Sequence, residues 1–85
     1  MPYIRKAARD RVVQQLSIIP EDAGELNYVL TEVVRAYVNR HGMSYQHVND
    51  CLGALEGCKL ELYRRVAAPY EDKKIEENGD VYDVD

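Results

Sequence analysis

The 85 residues carry 46% apolar and 31% charged side chains and a net charge of −4. That balance argues against a general nucleic-acid binder, and no apolar run of about 18 residues is present to span a membrane. A chain of this length makes one domain and buries only about 60% of its unfolded surface, so a lone core is marginal and self-association is the simplest remedy.

The start of the chain lacks an apolar stretch of the kind a secretory signal needs, which favours the cytoplasm. Cys51 and Cys58 lie on one expected helix, separated by about 10 Å of rise, so they are not expected to bridge. Free thiols fit a reducing compartment. Charge is polarised along the chain, with Arg5, Lys6, Arg9 and Arg11 near the start and Glu71, Asp72, Glu76, Glu77, Asp80, Asp83 and Asp85 near the end. The two ends are placed to neutralise one another within or between subunits. All seven aromatic residues are tyrosines, which suit the edge of a small core or a subunit interface.

Met1 to Ile4 reads as extended because Pro2 fixes its own φ. Ile4, Ala8, Val12, Leu16 and Ile19 then recur at helical spacing and predict a first helix over about 4–17. Pro20 stops it, since the residue before a proline disfavours the α conformation. Asp22 followed by Glu25 resembles a capping box and predicts a second helix over 23–41. Leu26, Val29, Leu30, Val33 and Tyr37 form its apolar stripe, widened by Val34 and Val38, while Tyr28, Glu32, Arg35 and Asn39 share the polar face. Glu32 and Arg35 are spaced for a weak ion pair.

Gly42 closes the second helix as an expected left-handed residue, and Ser44 opens the third as N-cap. Met43 and Val48 are spaced as a hydrophobic staple, and so short a turn predicts antiparallel neighbours. The third helix, over 45–67, lines up Val48, Leu52, Leu55, Lys59, Leu62 and Val66. Gly53 and Gly57 sit one turn apart, each costing about 1 kcal/mol relative to alanine. With Val34 and Val38 they are the expected oligomer interface, where another helix approaches the backbone. Pro69 either kinks this helix or begins a fourth over 70–77, which Asn78 and Gly79 stop. In the tail over 78–85, Val81, Tyr82 and Val84 alternate with acids as a short strand would, and could pair with Pro2 to Ile4. The expected fold is all-α: a small antiparallel helical bundle in a single domain, assembled as a homo-oligomer.

The chemistry is weighed on spacing. His41 and His47 flank the second turn, and His47, Asp50 and Cys51 fall on neighbouring helix positions. A structural zinc site, however, wants four good ligands. Neither metal nor cofactor is therefore expected. Small all-α bundles include the MazG-type nucleotide pyrophosphohydrolases, whose Glu-x-x-Glu and Glu-x-x-Asp motifs hold magnesium. Here Glu25 and Glu32 are seven apart and Glu56 and Glu61 five apart, so the likeness is one of architecture. A divergent hydrolase is the third reading. Nucleophile motifs and phosphate-binding glycine loops are absent, which points away from an enzyme unless subunits share a site.

Lys59, Arg64 and Arg65 with Tyr63, Tyr28 and Glu56 form the candidate ligand site. Guanidinium groups and a lysine suit a phosphate or carboxylate, and tyrosine rings can stack a base. Against this, Glu56 stands three residues before Lys59, and Glu61 three and four before Arg64 and Arg65, which favours local ion pairs.

Met-Pro-Tyr-Ile at the start, Gly24 to Tyr28, Ala54-Leu55-Glu56 with Lys59-Leu60-Glu61, Tyr63-Arg64-Arg65, Ala68 to Asp72 and Asn78 to Tyr82 together resemble a family of small phage and bacterial proteins. The resemblance covers nearly the whole chain and carries no assigned activity or site residues. It implies a phage-type protein, for which two roles are plausible: an oligomeric sponge that sequesters an anionic small molecule such as a nucleotide, or an adaptor that binds a host or phage protein.

Overall fold

A computed structural model describes residues 4–82, and the protein is all-α. Among the described residues four α-helices follow in order: α1 (Lys6–Gln15), α2 (Ala23–His41), α3 (Tyr45–Leu62) and α4 (Ala68–Asn78), with a π-helical turn at Tyr63–Ala67 between the last two. By internal contacts the chain divides into two compact units, residues 1–51 and 52–85. No helix among the described residues is long and apolar enough to cross a membrane.

In the first unit, α1 ends at Gln15, before Pro20 can stop it, and the N–H of Leu16 closes the last turn onto the Val13 carbonyl at 3.1 Å. Little holds the helix together. No side chain caps its start, and no acid occupies the first turn or base the last. Its Lys6–Asp10 pair, at 3.0 Å, places the cation N-terminal to the anion, the weaker orientation on a helix.

α2 starts where the sequence predicts. The Asp22 carboxylate accepts from the Glu25 N–H at 2.8 Å, while Glu25 Oε1 accepts from the Glu21 N–H at 3.2 Å. The box is therefore displaced by one residue from the usual form, in which the returning side chain meets the N-cap N–H. The Glu32–Arg35 pair forms at 3.4 Å. Val34 and Val38, expected at an oligomer interface, are half-buried within the chain.

Gly42 ends α2 with its N–H on the Val38 carbonyl at 2.7 Å. Its φ is positive, as expected, but its dihedrals of 95° and 152° are not left-handed helical. They lie in the extended region of positive φ that only glycine populates readily. Ser44 accepts from the His47 N–H at 3.1 Å and so caps α3. Met43 keeps 81% of its surface exposed, so the expected staple to Val48 buries little.

In the second unit the helical path runs unbroken through 52–78, and Pro69 does not interrupt it. Proline lacks an N–H and its ring presses on the carbonyl four residues earlier. The strain falls in the turn just before it, where the Ala68 N–H bonds Tyr63 O, five residues back. Ala68 itself stays helical at φ −63° and ψ −47°, against the usual preference of a residue preceding proline. Gly79 ends α4 with dihedrals of 88° and 158°, nearly those of Gly42. Beyond it Asp80 accepts from the Tyr82 N–H at 3.0 Å, a side-chain turn in place of the expected strand. The remaining partners in that expectation, residues 1–3 and 83–85, lie outside the described residues.

Cys51, 7% exposed, is the one buried residue among those described. Leu26, Leu30, Val33, Leu52, Leu62 and Val66 all keep large parts of their surface in solvent.

Candidate functional site

Polar chemistry gathers in two places, one in each unit. The first is the corner between α2 and α3. The Tyr37 hydroxyl, on the last turns of α2, donates to Asp50 Oδ2 at 2.9 Å, and Gln46 Nε2 donates to Asp50 Oδ1 at 2.8 Å, so both carboxylate oxygens are engaged. His47 Nδ1 lies 2.8 Å from the Gly42 carbonyl and 3.0 Å from Ser44 Oγ. A carbonyl only accepts, so Nδ1 carries the proton and donates. His41 packs beside both rings: its ring centroid is 4.4 Å from that of Tyr37 and 5.5 Å from that of His47.

The Tyr37 phenol is held above its ordinary value of 10.0, first because it donates to Asp50, then through partial loss of water and the charges of Asp50 and Cys51. The folded state therefore keeps this proton more tightly than the unfolded chain does. The resulting stabilisation is complete below the ordinary tyrosine range and is lost as pH rises through the elevated value. Tyr37→Phe is expected to flatten that alkaline loss in unfolding experiments. Phenolate absorbance of the native protein should show a late-titrating tyrosine that the variant lacks.

The second place lies in 52–85. Glu56 and Lys59 form the expected ion pair at 3.7 Å with the lysine side chain 74% exposed, a contact worth at most about 1 kcal/mol. Tyr63 reaches Glu71 Oε2 at 3.5 Å, a long and weak bond. No ion pair of Arg64 or Arg65 is seen among the described residues, whereas Glu61 is engaged. Residues three and four apart face each other on an α-helix, a relation that the wider π-turn at Tyr63–Ala67 alters.

Of the candidate ligand residues, Glu56, Lys59, Tyr63, Arg64 and Arg65 thus belong to one helical stretch of the second unit, while Tyr28 stands exposed on α2 in the first. A Cβ added at Gly53 or Gly57 meets nothing within 4 Å among the described residues, so the chain itself makes no close approach there. No three His, Cys, Asp or Glu side chains converge as a metal site among the described residues. The Tyr37–Asp50 bond escaped sequence reasoning, which placed Tyr37 on the apolar stripe. The one signal for it was a tyrosine whose hydroxyl would need a partner at a helix end.

Fold and site together define a small helical domain with open apolar faces, an aromatic–imidazole corner and a cationic π-turn. Over residues 1–81 the chain matches the domain of unknown function DUF6899, and it belongs to that family. No curated protein and no solved structure shows significant similarity to it.

Proposed function

We propose that the protein is a non-enzymatic, phage-type binding protein of the cytoplasm that works as a homo-oligomer, each copy covering the apolar helix faces of another. The observation that carries this reading is the near absence of burial: Cys51 alone is buried among the described residues, while Leu26, Leu30 and Val33 stand open on one stripe of α2. Ordering a residue costs about 1–2 kcal/mol in chain entropy, and side chains left this wet offset little of it. A second copy is favoured as the cover because the chain carries both halves of a charge match. Arg5, Lys6, Arg9 and Arg11 stand at one end and Glu71, Asp72, Glu76 and Glu77 at the other, and a two-fold pairing can bring each against its opposite. The open space at Gly53 and Gly57 suits a neighbouring helix. Sedimentation at micromolar concentration tests the reading. A mass above that of one chain is expected, and a stable folded monomer would shift the reading to an adaptor for a host or phage protein.

The π-turn favours a second, compatible reading, in which the assembly holds an anionic small molecule such as a nucleotide. Such turns are frequent at functional sites, and this one carries Tyr63, Arg64 and Arg65 beside Lys59. Guanidinium groups with no ion pair among the described residues are suited to a phosphate. A ligand at a hundred times its dissociation constant stabilises by about 2.7 kcal/mol, which thermal melting reads easily. Nucleotides at millimolar concentration are expected to raise the melting temperature of the native chain but not of an Arg64→Gln, Arg65→Gln variant. An equal rise in both would remove the arginines from the site.

A further inference from the structure

We propose that His41 and His47 form a two-imidazole site for a borderline divalent transition metal of the zinc and nickel class at the α2–α3 corner. The inference rests on the corner alone and stands whether or not the chain assembles.

Three observations carry it. His47 donates through Nδ1 to the Gly42 carbonyl at 2.8 Å, which fixes its tautomer and leaves the Nε2 lone pair as the outward donor. A carbonyl on the far nitrogen of a histidine is the contact that orients imidazoles for metals and raises their basicity. The His41 ring makes no hydrogen bond among the described residues, and as an exposed side chain it is able to turn either nitrogen toward its neighbour. Finally, the ring centroids are 5.5 Å apart. Bonds of about 2.0–2.1 Å from two ring nitrogens to one tetrahedral metal place the centroids about 5 Å apart, so a small rotation of His41 closes the site.

The corner is also rigid where it matters. Tyr37, tied to Asp50, packs its ring against both imidazoles, at 4.4 Å from His41 and 6.3 Å from His47. Asp50 is not a ligand in this arrangement, because Tyr37 and Gln46 occupy its two oxygens. Its carboxylate nonetheless leaves the corner favourable to a cation. Buried Cys51 is likewise not required. The protein supplies two ligands, and water or the same pair from a second copy completes the shell. Neutral nitrogen donors select zinc, nickel or copper over magnesium or calcium, which prefer oxygen.

The test is calorimetric titration of the untagged chain with Ni²⁺, in a Cys58→Ser background because Cys58 is an exposed competing thiol. Saturable binding is expected, with perturbed ring resonances of both histidines in the NMR spectrum and no response to Mg²⁺. His41→Gln should abolish binding while leaving the circular dichroism spectrum unchanged, since that ring holds no hydrogen bond whose loss would unfold the corner. His47→Gln is the second variant and should abolish binding as well, and one metal per copy or one metal per two copies is read from the stoichiometry. Absence of saturable binding, or binding of equal strength in His41→Gln, overturns the proposal.

Discussion

Val33→Asp is expected to abolish assembly, with Asn39→Asp, on the polar face of the same helix, leaving it intact. Val33 is 61% exposed in the single chain. In a monomer that stayed folded, a carboxylate there would be a surface substitution worth about ±0.5 kcal/mol. At a helix–helix seam it must instead be stripped of water with no cation opposite, a penalty of several kcal/mol per ion and therefore more than a hundredfold in dissociation constant. The position lies inside the stripe of Leu26, Leu30 and Tyr37, so a partner that covers this face cannot avoid it. Because the apolar faces are what an oligomer would bury, loss of assembly should also lower the melting temperature and make it independent of protein concentration. Sedimentation equilibrium and melting curves at two concentrations check both. Unchanged mass and melting in the variant would place the contact, if any, on another face.

The two substitutions separate features that the sequence shows unequally well. The starts of α2 and α3 are legible because each depends on one side chain and an N–H three residues away: Asp22 with Glu25, Ser44 with His47. The stops at Gly42 and Gly79 were legible for a similar reason, as only glycine takes positive φ without strain. Periodicity and Pro20 predict an end to α1 near residue 17, whereas an uncapped helix containing adjacent β-branched Val12 and Val13 ends at Gln15. The π-turn was not foreseen. A proline after Ala68 announces a disturbance, but whether a helix kinks, restarts or widens depends on how the preceding carbonyls find donors. Glu56 and Lys59, on regular helix, pair as spacing implies, while Arg64 and Arg65, on the π-turn, have no ion pair among the described residues. The α2–α3 corner depends on thirteen residues of separation between Tyr37 and Asp50, and on the ψ of Gly42, neither of which a periodic pattern records.

Gly42→Ala carries the second large effect, and it tests that corner as a unit. A Cβ at Gly42 would meet nothing within 4 Å, so crowding by neighbours is not the cost. The cost is the backbone itself: an L-residue at φ 95° and ψ 152° is strained by about 1–3 kcal/mol. If the chain relaxes instead of bearing the strain, the Gly42 carbonyl swings away from His47 Nδ1 and the register that brings Tyr37 to Asp50 shifts with it. The Tyr37 phenol should then titrate nearer its ordinary value, a readout that simple loss of stability does not produce. Gly79→Ala is the matched control. Its dihedrals of 88° and 158° impose the same strain, but the only structure described beyond it is a side-chain turn, so the chain end can relax at little cost to the rest. Denaturant unfolding should therefore show a loss for Gly42→Ala and little for Gly79→Ala.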